Sequence, residues 1–267
     1  RGNKYLSGVL IRDIGLAIEV AQLEAEAVRE NREREEQTRY ILKPTPEEAY
    51  GWARMAKNSH LPITVDTETP YTTVEDEDEN LEVDAPGQFI TSIQFSIGPY
   101  SGIFMPFSGA YMPAIKVVLE SENEKWWWNG YNFDIPLIKK AGLELRGVQH
   151  DLMLAWHHLQ PDLPKNLQFC TSFYAPWFGP WKHLAHKDPT VYGVKDVDAP
   201  YRNGLGLFKD LKSRGLYDSY MKYYVRYQPI LEGIAARGIP VDREQQAKLK
   251  GELEVKMAEI DLRGKPL

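Results

Sequence analysis

Between residues 63 and 150 the sequence alternates short apolar, β-branched runs with helix-forming segments, and this alternation restricts the fold more than any other feature. The runs at 63–67, 89–97, 101–106, 125–129 and 147–150 predict strands, and 113–121 and 133–141 predict helices. Strands interleaved with helices imply an α/β domain around a mixed sheet, here with five strands and helices flanking it. YIL at 40–42 is a further short strand candidate. Thr45 with Glu48 three residues on, and Pro46 at the first helical position, predict a capped helix that opens the compact domain.

The flanks read differently. Residues 13–39 predict one long helix with an apolar stripe (Ile14, Ile18, Ala21, Ala25, Val28) only in its first half, followed by RENREREEQ. Glu30 with Arg34, and Glu35 with Arg39, are favourable i,i+4 pairs, so the segment reads as a solvated connector. After Asp151 the chain turns helical, with one helix opened by Asp188 and Pro189, another at 217–237 closed by Gly238, and a last one capped by Asp242 with Gln245 in the capping-box position. Seven acids between Glu75 and Asp84 form a charge run that reads as a solvated loop. The expected divisions are a connector at 1–39, the main domain at 40–215 and a helical region at 216–267.

A net charge of −6 argues against binding nucleic acid through a basic surface, because phosphate affinity of that kind comes from Lys and Arg. An enzyme that grips a phosphodiester through metal ions remains compatible, since bound cations invert the local field. No apolar run is long enough to span a membrane, so no membrane partner is expected. The single cysteine, Cys170, excludes an internal disulfide and a cysteine zinc site; without a secretory signal layout it fits a reducing, cytoplasmic setting. A first residue that is Arg1 reads as the start of an excised piece.

Chemistry concentrates in three places. In PITVDTETP, Asp66 and Glu68 are two apart on a strand, so both project to one face at its end. Such a pair alone is commonly a surface feature; held together, two like charges raise a pKa or demand a cation. In WWWNGYNFDIPL, Asp134 opens a helix after a strand, where a plain N-cap is the bland reading. The tryptophans 126–128 lie mostly inside that strand and are assigned to packing. In YGVKDVDAP, Tyr192 and Asp196 share a helix face, the alternative for Tyr192 being a core aromatic.

Together, D-x-E, N-x-x-x-F-D and Y-x-x-x-D in this order resemble the DEDD superfamily of 3′→5′ exonucleases, tyrosine subclass, whose fold is ribonuclease H-like. The likeness extends to the proofreading domain of family A (Pol I-type) DNA polymerases. YGVKDVDA, with a second aspartate at Asp198, has the spacing of that family's third exonuclease motif, and VQHDLMLAWHHLQP resembles the segment after its second. RGIPVD within 227–260 resembles the turn where the family's thumb begins. The resemblance covers residues 40–267 and implies a thumb-like extension at the end. R-G-N-K-Y-L and the connector faintly resemble the stretch after a uracil-DNA glycosylase-like domain in some phage polymerases, which would give a phage or bacterial setting.

The resemblance implies two divalent ions, Mg²⁺ or Mn²⁺, held by Asp66, Glu68, Asp134 and Asp196, with Tyr192 aiming the attacking water. It implies a single-stranded or frayed DNA 3′ end as substrate and the palm and fingers of a polymerase as partner. Thr67, Thr72, Gln94, Asn129 and Phe133 are candidate substrate contacts, and Lys139, Lys165, Lys182 and His183 candidate phosphate partners. The sequence departs from the family at Gly130, where Asn is usual four before the aspartate, and Pro200 predicts a kink just after the site. Two alternatives stand beside the proofreading reading: a ribonuclease D-type RNA 3′-exonuclease, and a catalytically inactive ribonuclease H-like scaffold.

Overall fold

The structure, a computed structural model, describes residues 4–23, 25–70 and 89–264, so the acidic run and Thr72 lie outside the described residues. The chain separates into two compact units, Arg1–Arg226 and Tyr227–Leu267.

The first unit is built on a mixed sheet of β1 (Arg39–Ile41), β2 (Ile63–Glu68), β3 (Ser92–Ser96), β4 (Ser101–Pro106), β5 (Lys125–Trp127) and β6 (Gln149–Asp151). The strands lie in the order β1-β4-β3-β2-β5-β6, antiparallel at β2–β3 and β3–β4 and parallel elsewhere. The sheet thus has six strands among the described residues, not the expected five. The extra one is the YIL segment, which pairs at the edge with Tyr40 opposite Gly102. Three residues are too few to display an alternating pattern, and the pairing that makes them a strand comes from distant β4.

Side-chain alternation sorts the core onto two faces. Ile63, Val65, Ile93, Phe95, Ile103, Met105 and Trp127 join the core under α3 (Pro46–Ser59), α4 (Met112–Leu119) and α5 (Asp134–Lys140). On the other face Trp126 packs with Leu152 and Trp156 of α6 (Leu152–Leu159), Cys170 of α7 (Leu167–Tyr174), and Leu207 and Phe208 of α8 (Pro189–Ser213). Trp126 and Trp127 therefore pack on opposite faces of the sheet. The capping box at Thr45 and Glu48 forms as the sequence predicts.

The long helix α8 crosses the sheet closely. Asp188 caps it through the Val191 amide, and it runs through Pro200 to Ser213 as one helix. A Cβ on Gly193 would fall 2.9 Å from the Gln94 side chain, and one on Gly204 2.5 Å from the Trp126 ring, so both glycines permit the approach. Thr64 ties strand to helix by donating its hydroxyl to the Val197 carbonyl at 2.8 Å.

The predicted connector is two helices, α1 (Lys4–Gln22) and α2 (Ala25–Glu36), the apolar stripe falling mainly on the first and the charged stretch on the second. Arg12 of α1 lies 3.5 Å over the Phe173 ring, and Glu35 of α2 pairs with Arg202. The predicted helix at 217–237 is likewise divided. α9 (Tyr217–Tyr220) and a π-helical turn (Met221–Val225) pack on the first unit, with Tyr220 fully buried against His150 and Phe208.

The second unit holds α10 (Gln228–Arg237), closed by Gly238 at φ 64°, and α11 (Arg243–Gly264), whose first amides at Glu244 and Gln245 donate to the Asp242 carboxylate. Ile230, Leu231, Ile234, Leu253 and Ile260 are exposed on it. Among the described residues no helix is long and apolar enough to cross a membrane.

Candidate active site

Strand β2 ends at Glu68 and its alternation sends Thr64, Asp66 and Glu68 toward α8, while Ile63, Val65 and Thr67 turn to the opposite face. One and two turns into α8, Tyr192 and Asp196 come to the same acids. Carboxylate oxygens of Asp66, Glu68 and Asp196 lie within 4.8 Å of one another, a spacing at which three acids offer a cation one ligand atom each. Asp196 is buried, and Asp66 and Glu68 are half-buried.

The fourth predicted acid enters from the other side of the strand. Asp134, the first residue of α5 and also buried, accepts the Thr67 amide at 2.9 Å and the Thr67 hydroxyl at 2.7 Å on Oδ1. Thr67, a candidate substrate contact in the sequence, holds Asp134 through both its amide and its hydroxyl. Burial pushes the Asp134 carboxyl up to about 7 despite those two bonds. Asp66 is driven well above the usual carboxylate range, first by burial and then by the charges of Glu68, Asp134 and Asp196. Four acids from three separate stretches of chain thus share one field.

Two side chains that motif spacing does not single out complete the surroundings of Asp196. Trp181 is fully buried and its Nε1 donates to Asp196 Oδ1 at 2.5 Å. Lys182, on a 3₁₀ turn (Lys182–Leu184), donates to the Tyr192 hydroxyl at 3.0 Å and lies 3.4 Å from Asp196 Oδ2. Burial lowers the Lys182 ammonium's pKa, but Asp196, Asp66 and Glu68 outweigh that and leave it raised, so it stays charged. The Tyr192 hydroxyl is pushed up by burial and by Asp196, and remains protonated at any ordinary pH. Lys182 is one of four cations that charge alone marks; Trp181 carries no sequence signal, since a tryptophan before a lysine reads as core.

The remaining candidates are dispersed. Gln94 sits opposite Asp66 in β3 but is fully buried beneath Gly193, with Nε2 on Ser92, so it offers no surface to a substrate. Phe133 packs partly into the core over α5. Asn129 adopts φ 64°, donates its amide to Asp151 and accepts Asn132 Nδ2 at 3.0 Å. Lys165 braces its own loop through the carbonyls of Gln160 and Pro161 rather than facing the acids. His158 packs on Tyr224 and its Nε2 is hydrogen-bonded to the Ser219 hydroxyl, away from the acids.

The donor set fits hard divalent cations: carboxylate oxygens only, clustered tightly enough that their mutual repulsion already raises Asp66.

No family model matches the chain. Among solved structures, the fold is similar to NrnC of Brucella melitensis with bound Mg²⁺, with a TM-score of 0.51 and 16% identity over 66% of this chain and 86% of that one. It is also similar to the catalytic core of RRP6 from Trypanosoma brucei, with a TM-score of 0.50 and 16% identity over 67% and 49% of the two chains. The fold shared with these structures is ribonuclease H-like, a mixed sheet flanked by helices. In sequence the chain is similar to DNA polymerase I of Rhizobium leguminosarum, 27% identical over 164 residues, which is 56% of this chain. The chain spans only 16% of that polymerase's length.

Proposed function

We propose that the chain is the 3′→5′ proofreading exonuclease domain of a family A DNA polymerase, hydrolysing the terminal phosphodiester of a single-stranded or frayed DNA 3′ end with two divalent ions, Mg²⁺ or Mn²⁺. The observation that carries the reading is the convergence of Asp66, Glu68 and Asp196 within 4.8 Å, with Tyr192 one helical turn from Asp196. The sequence likeness to DNA polymerase I supports the choice of DNA and of the polymerase setting. RGIPVD, between α10 and α11 of the second unit, supports a thumb-like continuation toward palm and fingers.

Bound divalent ions would neutralise charge on the scissile phosphate and make a water more acidic. Asp66, Glu68 and Asp196 would hold them, and Asp134, kept in place by Thr67, would act on the second through water. Tyr192 needs no ionisation for its part: its hydroxyl, held by Lys182, orients the attacking water as a hydrogen-bonding group. Lys182 also balances part of the acid field from the protein side. Trp181 fixes Asp196 Oδ1 and so determines which oxygen turns to the cleft.

A second reading, a ribonuclease D-type RNA exonuclease, is supported equally by the fold likeness to NrnC and RRP6. Single-stranded DNA and RNA of one sequence, labelled at the 5′ end, separate the readings. The expected result is stepwise shortening of the DNA from its 3′ end in Mg²⁺, abolished in Asp66→Ala. Faster trimming of the RNA overturns the DNA assignment, and a wild type inert in both Mg²⁺ and Mn²⁺ leaves a scaffold.

A further inference from the structure

A second buried charge cluster lies against α8 immediately behind the acids. Asp198, two positions after Asp196, has no exposed surface. Its Oδ1 accepts Arg202 Nε and the Tyr100 amide, each at 2.9 Å, and its Oδ2 accepts Arg202 Nη2 and the Tyr40 hydroxyl, each at 2.7 Å. The third branch of the same guanidinium, Nη1, reaches out of the domain core to Glu35 Oε1 on α2 at 2.6 Å. The Arg202 plane lies 3.8 Å over the Tyr100 ring and 4.7 Å from the Phe178 ring.

This arrangement ties α2 and the edge of the sheet to α8. Tyr40 belongs to edge strand β1, and the Arg39 amide donates to the Tyr100 carbonyl at 2.7 Å, so β1 and the turn before β4 are locked to each other and to Asp198. Glu35 lies four residues before Arg39, at the end of α2. On the other side, Phe178 meets Trp181 edge-on at 4.8 Å, and Trp181 is the donor to Asp196. From α2 to the acid cluster there is a continuous path of contacts: Glu35, Arg202, Phe178, Trp181, Asp196. A shorter one runs along the helix from Arg202 through Asp198.

Charge explains why the guanidinium is held so firmly. Arginine presents a planar fork that meets Asp198 in two bonds and leaves one edge for a further acceptor. With one carboxylate buried completely and the second at the rim, 16% exposed, the orientation of Arg202 depends on both. Asp198 and Arg202 stand one turn apart on α8 and move together, so what resists rotation of the helix about its axis is the set of bonds that leave it, to the Tyr40 hydroxyl, the Tyr100 amide and Glu35, and the side chains that would move with it are Tyr192 and Asp196.

We propose that Glu35 and Arg202 are positioning residues for the exonuclease reaction: the connector helix α2, through this ion cluster, sets the rotation of α8 and the seat of Trp181, and thereby the placement of Asp196 and Tyr192. The inference rests on the nuclease reading above and deepens it, making the N-terminal helices part of the catalytic apparatus. Its chemistry needs no new ligand. It predicts that a side chain outside the cleft controls turnover without controlling substrate binding.

The test uses the full chain and begins with wild-type digestion of single-stranded DNA in Mg²⁺, whose absence would defeat the nuclease reading itself. Arg202→Ala would leave Asp198 buried without its cation, so the informative variant is Glu35→Ala at the rim, with Glu35→Gln as the conservative partner that retains an oxygen for Nη1. Glu35→Ala is expected to lower kcat about 3- to 10-fold, as a sub-ångström misplacement does. KM for the oligonucleotide should stay within about twofold, the Mg²⁺ concentration for half-maximal rate should rise, and Glu35→Gln should recover most of kcat. Unchanged kcat in Glu35→Ala overturns the inference, as does a loss confined to KM or one that merely tracks the unfolded fraction measured by circular dichroism.

Discussion

Asp196 and Asp198 stand two positions apart on α8 and both are buried, yet Asp196 faces Asp66 and Glu68 whereas Asp198 is enclosed by Arg202, Tyr40 and the Tyr100 amide. The first belongs to a group of like charges whose nearest protein cation, Lys182, has a side chain 43% exposed and reaches only one edge. The second is neutralised internally by a bidentate partner 7% exposed. A carboxylate with a buried, forked counter-ion contributes to the fold. One surrounded by other carboxylates costs the fold something, and its presence makes sense where a cation from solution supplies the missing charge.

That contrast can be broken most decisively by exchanging charge for amide at each position. Asp196→Asn should lower DNA degradation in Mg²⁺ at least about a thousandfold, equivalent to several kcal/mol of barrier, and should leave the melting temperature in EDTA unchanged or higher. Asp198→Asn should cost about 3 kcal/mol of stability, because Arg202 loses its ionic partner in a buried setting, measured by urea denaturation. If the two substitutions cost equal stability, the distinction between a functional and a structural aspartate fails.

Divalent ions sharpen the comparison at a smaller scale. Mg²⁺ at about a hundred times its Kd adds about 2.7 kcal/mol to the native state, a rise of several degrees in melting temperature for a domain of this size. Asp66→Asn should remove that rise and Asp198→Asn should keep it. A rise that survives in Asp66→Asn would place the ion elsewhere.

The smallest effect is on pH. In EDTA, Asp66 and Asp134 have folded-state pKa values above the ordinary carboxylate value, Asp134 up to about 7. The native state therefore holds more protons than the unfolded chain between about pH 4 and 7, and stability falls as pH rises through that window. Asp66→Asn should flatten the slope while Asp198→Asn leaves it intact. A slope of the opposite sign would mean the acids are paired, not crowded.

Much of the fold was legible along the chain. Strands β2 to β6 and helices α3 to α5 lie where alternation and capping predict them, within a few residues, because each presents a local periodicity or an end signal. β1 was visible only as three residues, and the break after Gln22 and the π-helical turn after Tyr220 were not visible at all. A change of helix type inside a continuous helix-forming pattern is decided by what packs beside it, here Tyr220 seated between His150 and Phe208.

The candidate site divides in the same way. Sequence alone determined which acids are candidates, since the D-x-E pair shares a strand face and Tyr192 shares a helix face with Asp196 by covalent geometry. Only the tertiary structure decided which groups meet. It engaged Thr67 with Asp134, buried Gln94, brought Trp181 and Lys182 to Asp196, and turned Asp198 away toward Arg202 and Glu35. The physical reason is that periodicity fixes the direction of a side chain relative to its own element, whereas its partner is supplied by whichever distant segment the packing of the sheet and α8 sets against it.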